Sequence, residues 1–216
     1  MAMQDRAART RRELIRCAAA AFEQHGFART TLNDVCRRAG VSSGALHFHF
    51  DNKEALADAV EAEASAALHR AGEMARVRPS GALQALVDAS HSLAAVLRED
   101  SVVRAGFRLS YDTTRTNGLP LSERWHSCVR TLLAAARDEG ALAGGVPMRD
   151  AAVAVTGVTV GLAVLSHRDR RWAGQTSLTG FWRLMLPQLA CPKAGVRPTP
   201  VHTASAAPSR AGGGAE

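Results

Sequence analysis

The chain has 216 residues, 46% of them hydrophobic but only 5% aromatic, with a formal charge of +7 and a pI near 10.2. That length and apolar content exclude a chain too small or too polar to form a core. Alanine fills much of the apolar count, which favours close-packed helices over a pleated sheet, and the positive balance points to a polyanionic partner.

Four cysteines, Cys17, Cys36, Cys128 and Cys191, form no C-x-x-C pair. Reduced thiols and a cytoplasmic location are expected. The stretch "MAMQDRAARTRREL" is charged where an export signal needs an apolar core.

In chain order, the first helical pattern runs from about Arg6 to His25. Leu14, Ile15, Ala18, Ala21 and Phe22 recur at helical spacing, and Gly26 ends it. Thr31 is positioned to cap a short helix, about Leu32 to Ala39, with Asp34 three residues on and Gly40 at its close. Ser42 caps a second short helix reaching about Phe48. A long helix follows from Lys53 towards Arg76. Pro79 or Ser80 opens the next, with Leu83, Leu86, Val87, Leu93 and Leu97 inward. Further helices are predicted over about Ser101–Ser110, Leu121–Glu139, Asp150–His167 and Gln175–Leu189, making an all-α chain of about nine. The longest apolar run, Ala151 to Leu165, falls short of the roughly 18 residues of a spanning helix. It is read as a buried helix, with a β-strand left open by its Val and Thr content. The end of the chain is rich in Pro, Gly, Ser and Ala, and 191–216 is expected to be a disordered tail. The domains are thus 1–52, 53–190 and that tail.

The stretch "GVSSGALHFHF", Gly40 to Phe50, allows three readings. As a metal site it is poor: His47 and His49 are two apart on a helix and point in different directions, with no ligand partner nearby. As core, Phe48 and Phe50 are expected to pack inward, leaving the histidines outside. As a DNA-reading surface, two short helices joined by a Gly turn form a helix-turn-helix pattern. In it Ser42 and Ser43 open the second helix, and Gly44 and Ala45 permit close approach. From Met1 to Lys53 there are nine basic and five acidic residues, a balance of +4 out of the chain's +7, which favours the third reading.

The segment "TTLNDVCRRAGVSSGALHFHFDNKEAL", preceded by a helix ending in "FEQHGF", resembles the DNA-binding segment of the TetR family of bacterial repressors. "VVRAGFRLS" (Val102 to Ser110) and Trp125 after an "LPL" loop resemble the γ-butyrolactone receptor branch of streptomycetes. The resemblance implies a homodimer on palindromic double-stranded operator DNA, released by a small-molecule effector, and control of secondary-metabolite biosynthesis. It implies no cofactor, no metal and no membrane partner. Thr31, Ser42, Ser43, Gly44, Ala45, His47, His49 and Lys53 are the positions it turns towards DNA. A Lys is frequent where Ser43 stands and a Tyr is usual where His47 stands, so this chain should show a salt dependence flatter by about one unit of slope.

The resemblance also implies an effector pocket under Trp125, whose indole offers a broad wall and one N–H. Phe107, Val158 and Leu162 are the expected co-lining residues. Some receptors of this branch place an amide on the long helix and a hydroxyl on the pocket helix; a rough alignment puts Ala64 and Leu162 there. Two polar partners for a lactone are then missing. The effector expected is either a γ-butyrolactone or, in a pseudo-receptor, an antibiotic-like compound. The helices over 150–167 and 175–189 are expected to pair two subunits. Two rivals remain in view: an enzyme, for which Cys128 near His126 and His167 near Asp169 make no nucleophile–base–orienter set, and a constitutive DNA-binding regulator without an effector.

Overall fold

The computed structural model describes residues 2–76, 80–115, 118–166, 169–173 and 175–200. Among the described residues there are nine α-helices: α1 (Ala2–His25), α2 (Leu32–Ala39), α3 (Ser43–His47), α4 (Lys53–Arg76), α5 (Ala82–Glu99), α6 (Ser101–Leu109), α7 (Leu121–Asp138), α8 (Met148–Ser166) and α9 (Gln175–Leu189). The Ala151–Leu165 run is helix, so its Val and Thr content yields to tertiary packing. His167 lies outside the described residues.

The first two helices close where the sequence says they should. Gly26 takes φ 79° and Gly40 φ 65°, left-handed values that a side chain disfavours. Thr31 forms a full capping box: its hydroxyl accepts from the Asp34 N–H (3.2 Å) while Asp34 accepts from the Thr31 N–H (3.2 Å).

Two cores form. The first gathers Leu14, Ala18, Phe22, Val35, Leu46 and Phe50 from α1–α3 and their turns. It is completed by Leu56 and Val60 of α4 and by Ala105 and Leu109 of α6. The expected boundary after residue 52 therefore cuts through one apolar cluster. Arg104 and Arg108, one turn apart on α6, fasten the end of α1: Arg104 Nε donates to Glu23 Oε1 (2.7 Å), and Arg108 donates to the Glu23 carbonyl. The crossing of α6 over α4 is tight. A Cβ on Gly106 would overlap the Ala64 methyl and lie 3.2 Å from the Val60 carbonyl.

The second core surrounds α5, which is buried along most of its length. Around it pack Trp125, Val129, Leu132 and Leu133 of α7, Val155 of α8, and Leu178 and Trp182 of α9. Gly81 offers no side chain to cap α5, so Glu139, just past α7, accepts the Ala82 N–H at 2.7 Å.

The start of the expected tail is ordered. The Cys191 N–H donates to the Ala141 carbonyl (2.8 Å), and a short 3-10 turn spans Pro192–Ala194. The Arg197 N–H donates to Gln84 Oε1 (2.8 Å), and the Pro198 carbonyl lies 3.0 Å from His91 Nε2. The polar composition of 191–200 leaves it little apolar surface to bury. Buried polar groups on α5 give its backbone the hydrogen bonds instead.

Candidate functional site

The first site is the outer face of α2 and α3. Thr31, Ser42, Ser43, Gly44 and His47 are exposed on it, with Ala45 and His49 half-buried. Ser42 is the cap of α3, its hydroxyl accepting from the Ala45 N–H at 3.2 Å. Thr31 Oγ1 also donates to Asp34 Oδ2 at 2.6 Å, and this bond, with the Thr31 N–H and Arg37, holds the Asp34 carboxyl below its ordinary pKa. Both hydroxyls thus fix helix starts, leaving backbone N–H groups and the exposed side chains to meet a partner.

Phe48 departs from expectation. It is 79% exposed, its ring edge-on to His49 at 5.0 Å, whereas Phe50 is buried with Arg11 over its ring at 5.1 Å. The alternation of period two does not apply, because α3 ends at His47 and the chain turns as it leaves the helix. A large apolar side chain therefore stands beside His47 on the outer face, a feature the pattern did not disclose.

Lys53 also departs. Its ammonium donates to the carbonyls of Phe27 (3.1 Å), Ala28 (3.4 Å) and Thr30 (3.1 Å), and it lies 4.4 Å from the centre of the Phe27 ring. An ammonium has three donors, and all three are directed to the α1–α2 turn. Its charge faces that turn rather than outward. The turn is held on its other side by buried Thr30, whose hydroxyl lies 2.8 Å from the Gly26 carbonyl.

The second site is inside the larger core. Trp125 is 0% exposed, and its indole N–H donates to the hydroxyl of Thr159 on α8. The Thr159 hydroxyl in turn donates to the Val155 carbonyl at 2.8 Å. Beside it, His126 Nδ1 and Thr156 Oγ1 are 3.0 Å apart, a second α7–α8 link. Phe107 belongs to this core, and Val158 and Leu162 pack against it, so the four expected lining residues share one cluster. Leu162 itself brings no hydroxyl, but the same helix carries one to the indole three residues earlier, at Thr159. Ala64 does lack a polar group, and the reason is steric, since its methyl faces Gly106.

A separate cleft of about 900 Å³ lies between the two cores, lined by Arg12 and Arg16 of α1, Arg70 of α4 and Val96 of α5. Among the described residues no group of three His, Cys, Asp or Glu gathers as metal ligands, and no helix is long and apolar enough to cross a membrane.

A two-helix DNA-reading motif seated on a larger all-helical body is the class of protein that this fold and site define. The sequence signature of bacterial regulatory proteins of the tetR family matches residues 14–60. The A-factor receptor protein of Streptomyces griseus is 33% identical over 197 residues, 89% of this chain and 68% of that protein. A crystal structure of a γ-butyrolactone receptor (ArpA-like protein) superposes with a TM-score of 0.76 at 26% identity, covering 88% of this chain and 92% of that one. CprB of Streptomyces coelicolor, in a structure with its operator sequence, gives 0.73 at 28% identity over 87% and 91%. The chain belongs to the tetR family of bacterial regulatory proteins.

Proposed function

We propose that the protein is a ligand-responsive transcriptional repressor. Residues 1–52 act as its operator-reading head, and 53–190 as its effector-binding and dimerisation body. It acts in the cytoplasm as a homodimer on palindromic DNA, without catalysis. A γ-butyrolactone-type or antibiotic-like effector releases it, switching on secondary-metabolite genes. The observation that carries this reading is the buried Trp125–Thr159 pair, which places an aromatic wall and a hydroxyl together among the apolar side chains of the larger core. Likeness to the A-factor receptor protein over most of the chain supports the same reading.

Exposed apolar side chains on α8 and α9 support a dimer. Val153 is 57% and Leu184 78% exposed, and a Cβ at Gly157, Gly161 or Gly180 would meet nothing within 4 Å. A second copy would cover that face and set the separation of the two heads. Successive major grooves lie about 34–36 Å apart, so an effector that favours another separation by a few kcal/mol releases the DNA.

The test is a mobility shift of the promoter fragment upstream of the protein's own gene. A repressor retards it at concentrations on the order of 10 nM, and unrelated competitor DNA does not remove it. Equal retardation of unrelated DNA contradicts the reading.

A further inference from the structure

We propose that Arg115 is a positioning residue that carries the state of the effector body to the operator-reading head; the inference rests on the repressor reading above. Arg115 stands on the loop between α6 and α7, with its side chain 1% exposed. Its guanidinium pairs with three carboxylates on α4: Glu54 at 3.1 Å, Asp58 at 2.6 Å and Glu61 at 2.8 Å. Spacings of four and three put these acids on one face across successive turns.

The same guanidinium lies 5.4 Å from the centre of the Phe27 ring. Phe27 is in the α1–α2 turn whose carbonyls Lys53 gathers, and that turn leads directly to Thr31, the cap of α2. One buried cation therefore touches both the first turns of α4 and the base of the DNA-reading motif.

On its other side the cluster is tied to the effector core. The Leu119 N–H donates to Glu61 Oε2 at 3.0 Å, and a Cβ on Gly118 would lie 3.4 Å from Glu61 Oε1. α7 begins two residues later, and one turn into it stands Trp125. A shift of α7 that moves Leu119 must either carry Glu61 and α4 with it or break that hydrogen bond, and a displaced Glu61 must either carry Arg115 or part a buried ion pair. Parting is disfavoured because Glu61 is wholly buried. The planar fork is what engages three carboxylates at once, and lysine does not reproduce it.

Two measurements on the full chain decide it. All three tryptophans, Trp125, Trp172 and Trp182, lie beyond Arg115 and outside the head. Saturating wild type with its promoter duplex is expected to change their fluorescence, since coupling between sites is reciprocal. Arg115→Lys is expected to bind the duplex within about tenfold of wild type but to lose about half or more of that change. Binding with the full wild-type change would overturn the proposal. Hydrogen exchange without DNA tests the coupling even if wild type binds no promoter and the repressor reading itself fails. Arg115→Lys and Arg115→Met are expected to speed exchange about tenfold both at residues 27–31 and in the first turns of α7. Faster exchange confined to 110–119 would overturn the proposal.

Discussion

Trp125 on α7 donates its indole N–H to the Thr159 hydroxyl on α8, and both residues are buried. The bond joins two helices of the larger core through one of the four residues that the family resemblance turns towards an effector. If the proposed effector binds at Trp125, it either takes the indole N–H from Thr159 or lies against the ring alone.

Replacing Thr159 by Val keeps the shape and removes the acceptor. A buried N–H left unpaired costs about 1–3 kcal/mol. The variant is expected to unfold at lower denaturant with an unchanged slope. An unmoved midpoint would mean that the bond contributes nothing in solution.

Lys53 separates two accounts of the same residue. The family pattern turns it towards phosphate, whereas its ammonium is bonded to the α1–α2 turn. Lys53→Met is therefore expected to destabilise the head by about 1–2 kcal/mol while leaving the salt slope of operator binding unchanged. A slope flatter by about one with unaltered stability would restore the phosphate contact.

Phe48 is so exposed that its removal leaves no cavity. Phe48→Ala is expected to change stability by less than about 0.5 kcal/mol. Standing next to His47, the ring is placed to meet an apolar group such as a thymine methyl, so operator affinity should fall by about tenfold. Loss of stability with intact affinity would show instead that the ring packs against protein.

Glu61 gives a pH dependence. Burial pushes its carboxyl above the ordinary value, against the pull of the Leu119 N–H and of Arg115, which is shared among three acids. A carboxyl with a raised folded pKa contributes most below its unfolded pKa, and that contribution is lost as pH rises through the folded pKa. The stability of wild type relative to Glu61→Gln should therefore decline as pH is raised from about 4.5 and then level off. Urea melts across that range would show it; a difference that grows with pH would contradict it.

Much of this was legible in the sequence, for local reasons. Helix starts and stops at Thr31, Gly40 and Ser42 depend on caps and left-handed glycines within a few residues, and those are written locally. What was not legible depends on distant partners. The hydroxyl for Trp125 comes from Thr159, 34 positions away, and nothing local to Trp125 announces it. Ala64 is small because Gly106 crosses it. Residues 191–200 pack because Gln84 and His91 wait on α5 over a hundred positions earlier, a pairing that no composition reveals. Arg115 is one more arginine in an arginine-rich chain until the fold brings Glu54, Asp58, Glu61 and Phe27 around it.

Control of DNA binding by a small molecule at Trp125 is read out by fluorescence anisotropy of a labelled promoter duplex bound to wild type and to Trp125→Ala, titrated with a panel of γ-butyrolactones and then of antibiotics. One compound is expected to release wild type while Trp125→Ala stays bound at every concentration. Release of both proteins at the same concentration, or of neither by any compound, would contradict it.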